Sequence, residues 1–267
     1  MKNRMKNLTI TAILVAGIFG ITEAQVTEVN GEFSSDVTFG ETVSFSNPYS
    51  GLVLHGEGWE LSTNLSDGNV NVEEAKYSWS LTEALTLTFG SQAEPYGLAW
   101  GLHRPSNNQF VSAPREHSVS DGVGVSASAL GVGVNAFYGG DVTDDMGDAA
   151  AYWAARVSYG ISQFGINSTI GLSVNSDDAQ LIDASTNGSA LGIPYESSFE
   201  YDLANDGAYW LRSAVTPDFA KGAYGIIGYN SDEEVMYGIG YNASDNMKLA
   251  TELSGDGDTV IRFSYSF

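Results

Sequence analysis

Thr259-Val-Ile-Arg-Phe-Ser-Tyr-Ser-Phe267 is the stretch whose reading decides the fold. Side chains of a strand alternate with a period of two, so Ile261, Phe263, Tyr265 and Phe267 share one face. Val260, Arg262, Ser264 and Ser266 share the other. In a soluble protein the aromatic face would turn to a core. What solvent takes it here depends on the rest of the chain.

Lys2, Arg4 and Lys6 precede an apolar run from Leu8 to Ile21, and Thr22-Glu23-Ala24 follow before Gln25. A basic segment, an apolar segment and a small-residue site make a secretory signal, with cleavage expected after Ala24. The run is shorter than the roughly 20 apolar residues a helix needs to cross a bilayer. No later stretch is apolar enough for a transmembrane helix. The expected mature chain, 25–267, has the length of one β-barrel or sandwich domain.

Cys is absent, which excludes disulfides, thiolate zinc clusters and thiol nucleophiles. The chain holds 33 acidic and 11 basic residues. Loss of residues 1–24 removes three of the basic and one of the acidic, leaving a net charge near −24. So acidic a surface repels phosphate backbones and anionic membrane surfaces, and nucleic acid is excluded as a partner.

Short alternating runs punctuated by Gly, Asp and Asn predict an all-β chain. Residues 25–50 are ambiguous: Phe33, Val37, Phe39, Val43 and Phe45 alternate in part, and Asn47-Pro48 interrupts them. This N-terminal segment fits a wall strand, a periplasmic extension or a plug in the lumen. From residue 51 the alternation predicts twelve strands, or fourteen if 31–46 join the wall: 51–63, 70–80, 84–94, 118–129, 131–138, 149–160, 164–174, 207–216, 222–229, 234–242, 247–254 and 259–267. Ser66-Asp67-Gly68-Asn69 is a tight turn. Two long loops are expected, 95–117 and 175–206.

An even count of strands near ten residues, joined alternately by short turns and longer loops, is what a membrane barrel requires. The second face of each strand is small and polar rather than studded with Lys and Glu, as a soluble sandwich would show. Trp79, Phe89, Tyr138, Tyr159, Phe164, Tyr229, Tyr241 and Phe267 fall near strand ends, where interfacial girdles lie. A closed barrel also leaves no unpaired edge in hydrocarbon. The expected fold is therefore a closed antiparallel transmembrane β-barrel, residues 51–267, with both long loops on the outer side.

Thr259–Phe267 resembles the C-terminal assembly signal of bacterial outer-membrane β-barrels, whose last residue is usually Phe. Asn69-Val-Asn-Val-Glu-Glu-Ala-Lys76-Tyr-Ser-Trp79, then Leu85-Thr-Leu-Thr-Phe-Gly90-Ser-Gln92 and Pro95-Tyr-Gly97, resemble the early part of Gram-negative porins, particularly those related to the phosphate-selective type. Arg115-Glu-His-Ser-Val-Ser-Asp121-Gly-Val-Gly124 is similar to the strand that follows their long loop. The likeness spans about residues 59–140 and the last strand. It implies an outer-membrane porin passing small hydrophilic solutes and ions by diffusion. It also implies surrounding outer-membrane lipid, recognition by the outer-membrane assembly machinery through Phe267, and a homotrimer as one possible assembly. The chain is shorter than 16-stranded members and far more acidic, and both departures count against anion selectivity. The alternative function is a non-conducting barrel acting as a structural, adhesive or receptor surface protein.

Strand phase places Lys76, Arg156, Arg212, Lys248 and Arg262 opposite the lipid face. Arg at the bilayer midplane costs about 2–4 kcal/mol, so the lumen is their expected place. Two readings stay open: a basic strip that sets a transverse field across the pore, or pairing with lumen carboxylates that stiffens the wall. In loop 95–117, His103, Arg104, Arg115, Glu116 and His117 are candidates for a constriction. Loop 175–206 competes through Asp177, Asp178, Asp183, Glu196, Glu200 and Asp202. Asp141, Asp144, Asp145 and Asp148 lack calcium-loop spacing and read as a charged outer loop.

Catalysis has little to work with. The outer-membrane phospholipases of this size need Ser and His one residue apart, but His117 and Ser118 are adjacent and neither His55 nor His103 has a Ser two positions on. Glu73 and Glu74 point to opposite faces, which suits no acid–base pair. No enzyme activity, metal or cofactor is expected.

Overall fold

The structure, a computed structural model, describes residues 26–267 except 41, 67–68, 99–118, 144–148, 205–206, 218, 220, 245 and 254–258. The expected signal and its cleavage site after Ala24 lie outside the described residues. The strands are β1 Val26–Phe39, β2 Val43–Gly56, β3 Trp59–Ser66, β4 Asn69–Thr82, β5 Leu85–Ala93, β6 Val119–Ala129, β7 Val132–Thr143 and β8 Ala149–Gln163. Then come β9 Ile166–Asn175, β10 Gln180–Ala190, β11 Ile193–Asp202, β12 Tyr209–Val215, β13 Ala223–Asn230, β14 Val235–Ser244, β15 Met247–Leu253 and β16 Thr259–Ser266. Each pairs antiparallel with its sequence neighbours, and β1 pairs with β16. The result is one closed barrel of sixteen strands.

All-β architecture and a closed antiparallel wall agree with the sequence reading, but the strand number is neither 12 nor 14. The four additional strands come from three places. Residues 25–50, the segment of uncertain placement, form β1 and most of β2. The bond ladder of β2 runs through Asn47-Pro48 because the pairing slips there: Ser34 faces Tyr49 while Asp36 faces Ser46. Such a bulge accommodates a residue that cannot donate to the ladder.

The single strand expected at 51–63 is instead two. Glu57-Gly58 turns the chain, with Gly58 at φ 75°, and Gly56 pairs with Trp59. The loop expected at 175–206 is the β10–β11 hairpin, in register from Leu181↔Asp202 to Ala190↔Ile193. Its Asp and Glu suggested a solvent-exposed loop, yet a barrel strand admits charge on its inward face, where Asp183 meets Arg156.

Links at one end of the barrel are short. Leu130-Gly131 (φ 53° and 82°), Phe164-Gly165 (53° and 76°) and Leu191-Gly192 (55° and 78°) are two-residue turns of left-handed residues. That turn matches the twist of paired strands. Glu83-Ala84 and the link after β14 lie at the same end. The opposite end carries the long connection from β5 to β6, beginning at Glu94.

The apolar face assigned to each correctly placed strand is the outer face of the barrel. Tyr138, Trp153, Val157, Ile170, Leu172 and Ile239 are all exposed there. Outer hydroxyls pair with each other across strands, Ser168 with Thr186 at 3.1 Å and Ser197 with Ser213 at 2.8 Å. Inside, polar ladders cross the wall: Ser78–Thr88 at 3.2 Å, Ser162–Asn167 at 2.6 Å and Asn167–Asn187 at 3.0 Å.

At the seam, Phe267 exchanges both backbone hydrogen bonds with Gly31, at 2.8 and 2.9 Å. Its ring covers Gly31, where any Cβ would collide with it. The glycine is thus required by the close approach of the ring.

Candidate functional site

The lumen is the site, and a segment following β5 enters it. Glu74 on β4 accepts from the Ala93 amide at 3.0 Å. Glu94 accepts from the Ser120 hydroxyl on β6 at 2.6 Å. Gly97, at φ 70°, allows the chain to turn inward. Its amide donates to Ser173 Oγ of β9 at 2.8 Å, and the Leu98 amide donates to Glu200 Oε1 of β11. Leu98 then packs on Trp210, Ala214, Tyr224, Ile226 and Met236, a buried apolar cluster on the inner faces of β12–β14. A segment leaving β5 is therefore held on the far side of the barrel, so it crosses the interior. The remainder, 99–118, with His103, Arg104, Arg115 and His117, lies outside the described residues.

The five cations of the wall all occupy inward register positions. Arg156 grips Asp183 in a bidentate pair, Nε–Oδ2 2.9 Å and Nη2–Oδ1 2.5 Å, reaching from β8 across β9 to β10. Asp183 is fully buried. Arg262 holds Asp36 with both bonds at 2.7 Å, across the β16–β1 seam. Arg212 meets Glu196 at 2.7 Å. Lys76 meets Glu74 at 2.7 Å and Glu60 at 3.2 Å, and His55 stands 3.3 Å from Glu60. Lys248 sits between Asn242 and Ser264.

Of the two open readings, this geometry favours pairing for Lys76, Arg156, Arg212 and Arg262, each of which meets a carboxylate of the wall, over one open basic strip. Asp183, Glu196, Glu200 and Asp202, expected on a loop, are wall residues. Asp177 and Asp178 lie in the short β9–β10 link. Asp144, Asp145 and Asp148 lie outside the described residues.

Gly171 of β9 makes room for the Arg156–Asp183 pair. A Cβ built there would lie 2.6 Å from Asp183 Oδ1 and 2.7 Å from Arg156 Nη2. Gly171→Val should therefore displace the pair and lower stability, by less than the roughly 3–5 kcal/mol that removing one partner of a buried pair costs. Urea titration of the refolded barrel reads this out; an unchanged midpoint in both Gly171→Ala and Gly171→Val would refute it.

Sequence reasoning missed the apolar inner cluster and the tethers Ser173, Gly97 and Leu98. One signal for the cluster was present: Trp210, Arg212 and Ala214 share a phase, so an inward Arg212 entails an inward Trp210.

Closed sixteen-stranded antiparallel barrels with an apolar exterior, a polar interior and a segment folded inward form a class: the chain is a porin-like β-barrel in fold. Solved structures of the same fold include a triple mutant of Rhodopseudomonas blastica porin, 13% identical, covering 90% of this chain and 99% of that one at a TM-score of 0.60. OmpT, folded in vitro, an outer membrane protein of Vibrio cholerae, is 12% identical, covering 90% and 97% at 0.58. Salmonella typhi OmpF in complex with daunomycin is 12% identical, covering 90% and 97% at 0.57. No family model and no curated protein matches the chain.

Proposed function

We propose that the protein is an outer-membrane porin of a Gram-negative cell, through which small hydrophilic solutes and ions diffuse passively. The observation that carries this reading is the inward segment Glu94–Leu98, tethered across a closed barrel with a polar inner wall. Such a crossing narrows a water-filled lumen. On this reading the short-turn end faces the periplasm and the long β5–β6 connection faces outward. The signal is removed after Ala24, lipid surrounds the apolar exterior, and the strand ending at Phe267 is read by the assembly machinery. There is no turnover and no cofactor.

Wall charge points to a weak cation preference. The arginines are paired with carboxylates, and further carboxylates, Glu28, Asp202 and Glu252, share the inner face by register. A low local potential concentrates cations in a narrow aqueous path. Among the described residues, Lys76, Arg156, Arg212 and Arg262 are engaged by carboxylates, which does not favour the narrower kinship with phosphate-selective porins.

Purified protein refolded into planar bilayers should give discrete conductance steps, and reversal potentials in a KCl gradient should have the sign of cation selectivity. Absence of steps from correctly refolded protein would overturn the porin reading in favour of a non-conducting surface barrel. Anion selectivity would overturn the charge argument alone.

A further inference from the structure

Leu130, Phe164 and Leu191 are the most exposed large apolar side chains of the described residues, at 98, 99 and 102%. Each is the first residue of a two-residue turn, at φ 53°, 53° and 55°. Left-handed backbone is disfavoured for a residue with a bulky side chain, and Asn, Asp or Gly is the usual occupant. The three turns join β6 to β7, β8 to β9 and β10 to β11, so they stand side by side along one arc of the short-turn rim.

Charge is missing from this arc. Residues 127–134, 160–169 and 187–195 contain no Asp, Glu, Lys or Arg, in a chain with 33 acidic and 11 basic residues. Other links at the same rim carry charge among the described residues: Glu57, Glu83 and Lys221. Outer residues leading into the three turns are also apolar and exposed, namely Val132, Ile161, Ile166 and Ile193. The apolar exterior therefore runs without a break onto the turn tips.

We propose that these three tips are seated in the acyl–headgroup boundary of the leaflet bordering the short-turn rim, and anchor that arc of the barrel in lipid. The inference rests on the membrane reading above. Lipid suits the surface better than a protein partner, because a protein interface surrounds its apolar centre with a polar rim and hydrogen bonds. This arc is continuous with the lipid-facing wall and has no charge beside it. The apolar height of the barrel is then greater on the β6–β11 side than opposite, and mismatch of this kind is relieved by tilt or local thickening of the bilayer.

Because the chain has no Cys, a nitroxide can be placed at one site at a time. Leu130→Cys, Phe164→Cys and Leu191→Cys are compared in phosphatidylcholine vesicles with Glu83→Cys, on a polar turn of the same rim, and Ile170→Cys, on the outer wall. The three tip labels should resemble Ile170, relaxed more by oxygen than by a water-soluble nickel complex, and Glu83 should show the reverse. Tip labels that behave like Glu83 while Ile170 stays lipid-like would overturn the anchor, as a site for a protein partner would give, and leave the porin reading standing. An aqueous Ile170 label would sink both. Asn substitutions give an independent sign. If the tips stood in water, Leu130→Asn, Phe164→Asn and Leu191→Asn would relieve strain and raise the unfolding midpoint. Tips seated in lipid require it to fall.

Discussion

Asp36→Ala or Arg262→Ala should lower the stability of the barrel by about 2–4 kcal/mol, a larger loss than at any exposed ion pair. These residues face each other in register across β1 and β16, the pairing that closes the wall, and are joined by two bonds of 2.7 Å. Both are largely withdrawn from solvent. Truncating one leaves the other charge desolvated and alone, and that penalty is the greater part of the cost. Lumen water keeps it below the value for a dry interior. The double substitution should cost much less than the sum of the single ones, and the exchange Asp36→Arg with Arg262→Asp should recover part of the loss. Urea titrations of wild type, the two single variants and the double variant form the cycle. Additivity within about 0.5 kcal/mol would show that the pair does not couple the seam.

The same pair illustrates how far the sequence could be read. Period two placed Arg262 on the inner face from Ile261 and Phe263 alone, because a wall with an apolar outer face and a polar inner face makes the alternation strict. Its partner was hidden. Asp36 lies 226 positions away, in a segment whose alternation Asn47-Pro48 blurred. Arg156 and Asp183 repeat the lesson: the cation was assigned by phase, but its carboxylate was set aside with a supposed loop. Polar inner faces weaken the apolar signal of β10, where Ser185, Asn187 and Ser189 alternate with Thr186 and Gly188. Barrel class was therefore legible, and strand number was not. The segment after β5 was expected as a long loop with constriction candidates at 103–117, but where it would seat was not legible. Its anchor points lie on β9, β11 and β12–β14, contacts of long sequence separation that no local pattern encodes.

Leu98→Asp should release that crossing segment and raise single-channel conductance. Leu98 is seated on Trp210, Tyr224, Ile226 and Met236, and its amide donates to Glu200. A carboxylate at this position would lose its water against an apolar surface and stand beside the like charge of Glu200. Burying a polar group without a partner costs roughly 2–7 kcal/mol, and more when it is ionised. The hydrogen bond at Gly97 is worth about 1 kcal/mol and the one from Leu98 to the Glu200 carboxylate about 1.5–3 kcal/mol, less together than burying an ionised group costs. Leu98→Met, which keeps the volume and the apolar contact, should leave conductance unchanged. Trp210→Ala approaches the same contact from the wall and should also raise it. Ser173→Ala, which removes only the Gly97 tether, should give a small rise. Equal conductance in wild type, Leu98→Asp and Trp210→Ala would mean that the segment does not set the open cross-section, and that the resistance of the pore lies elsewhere along the lumen.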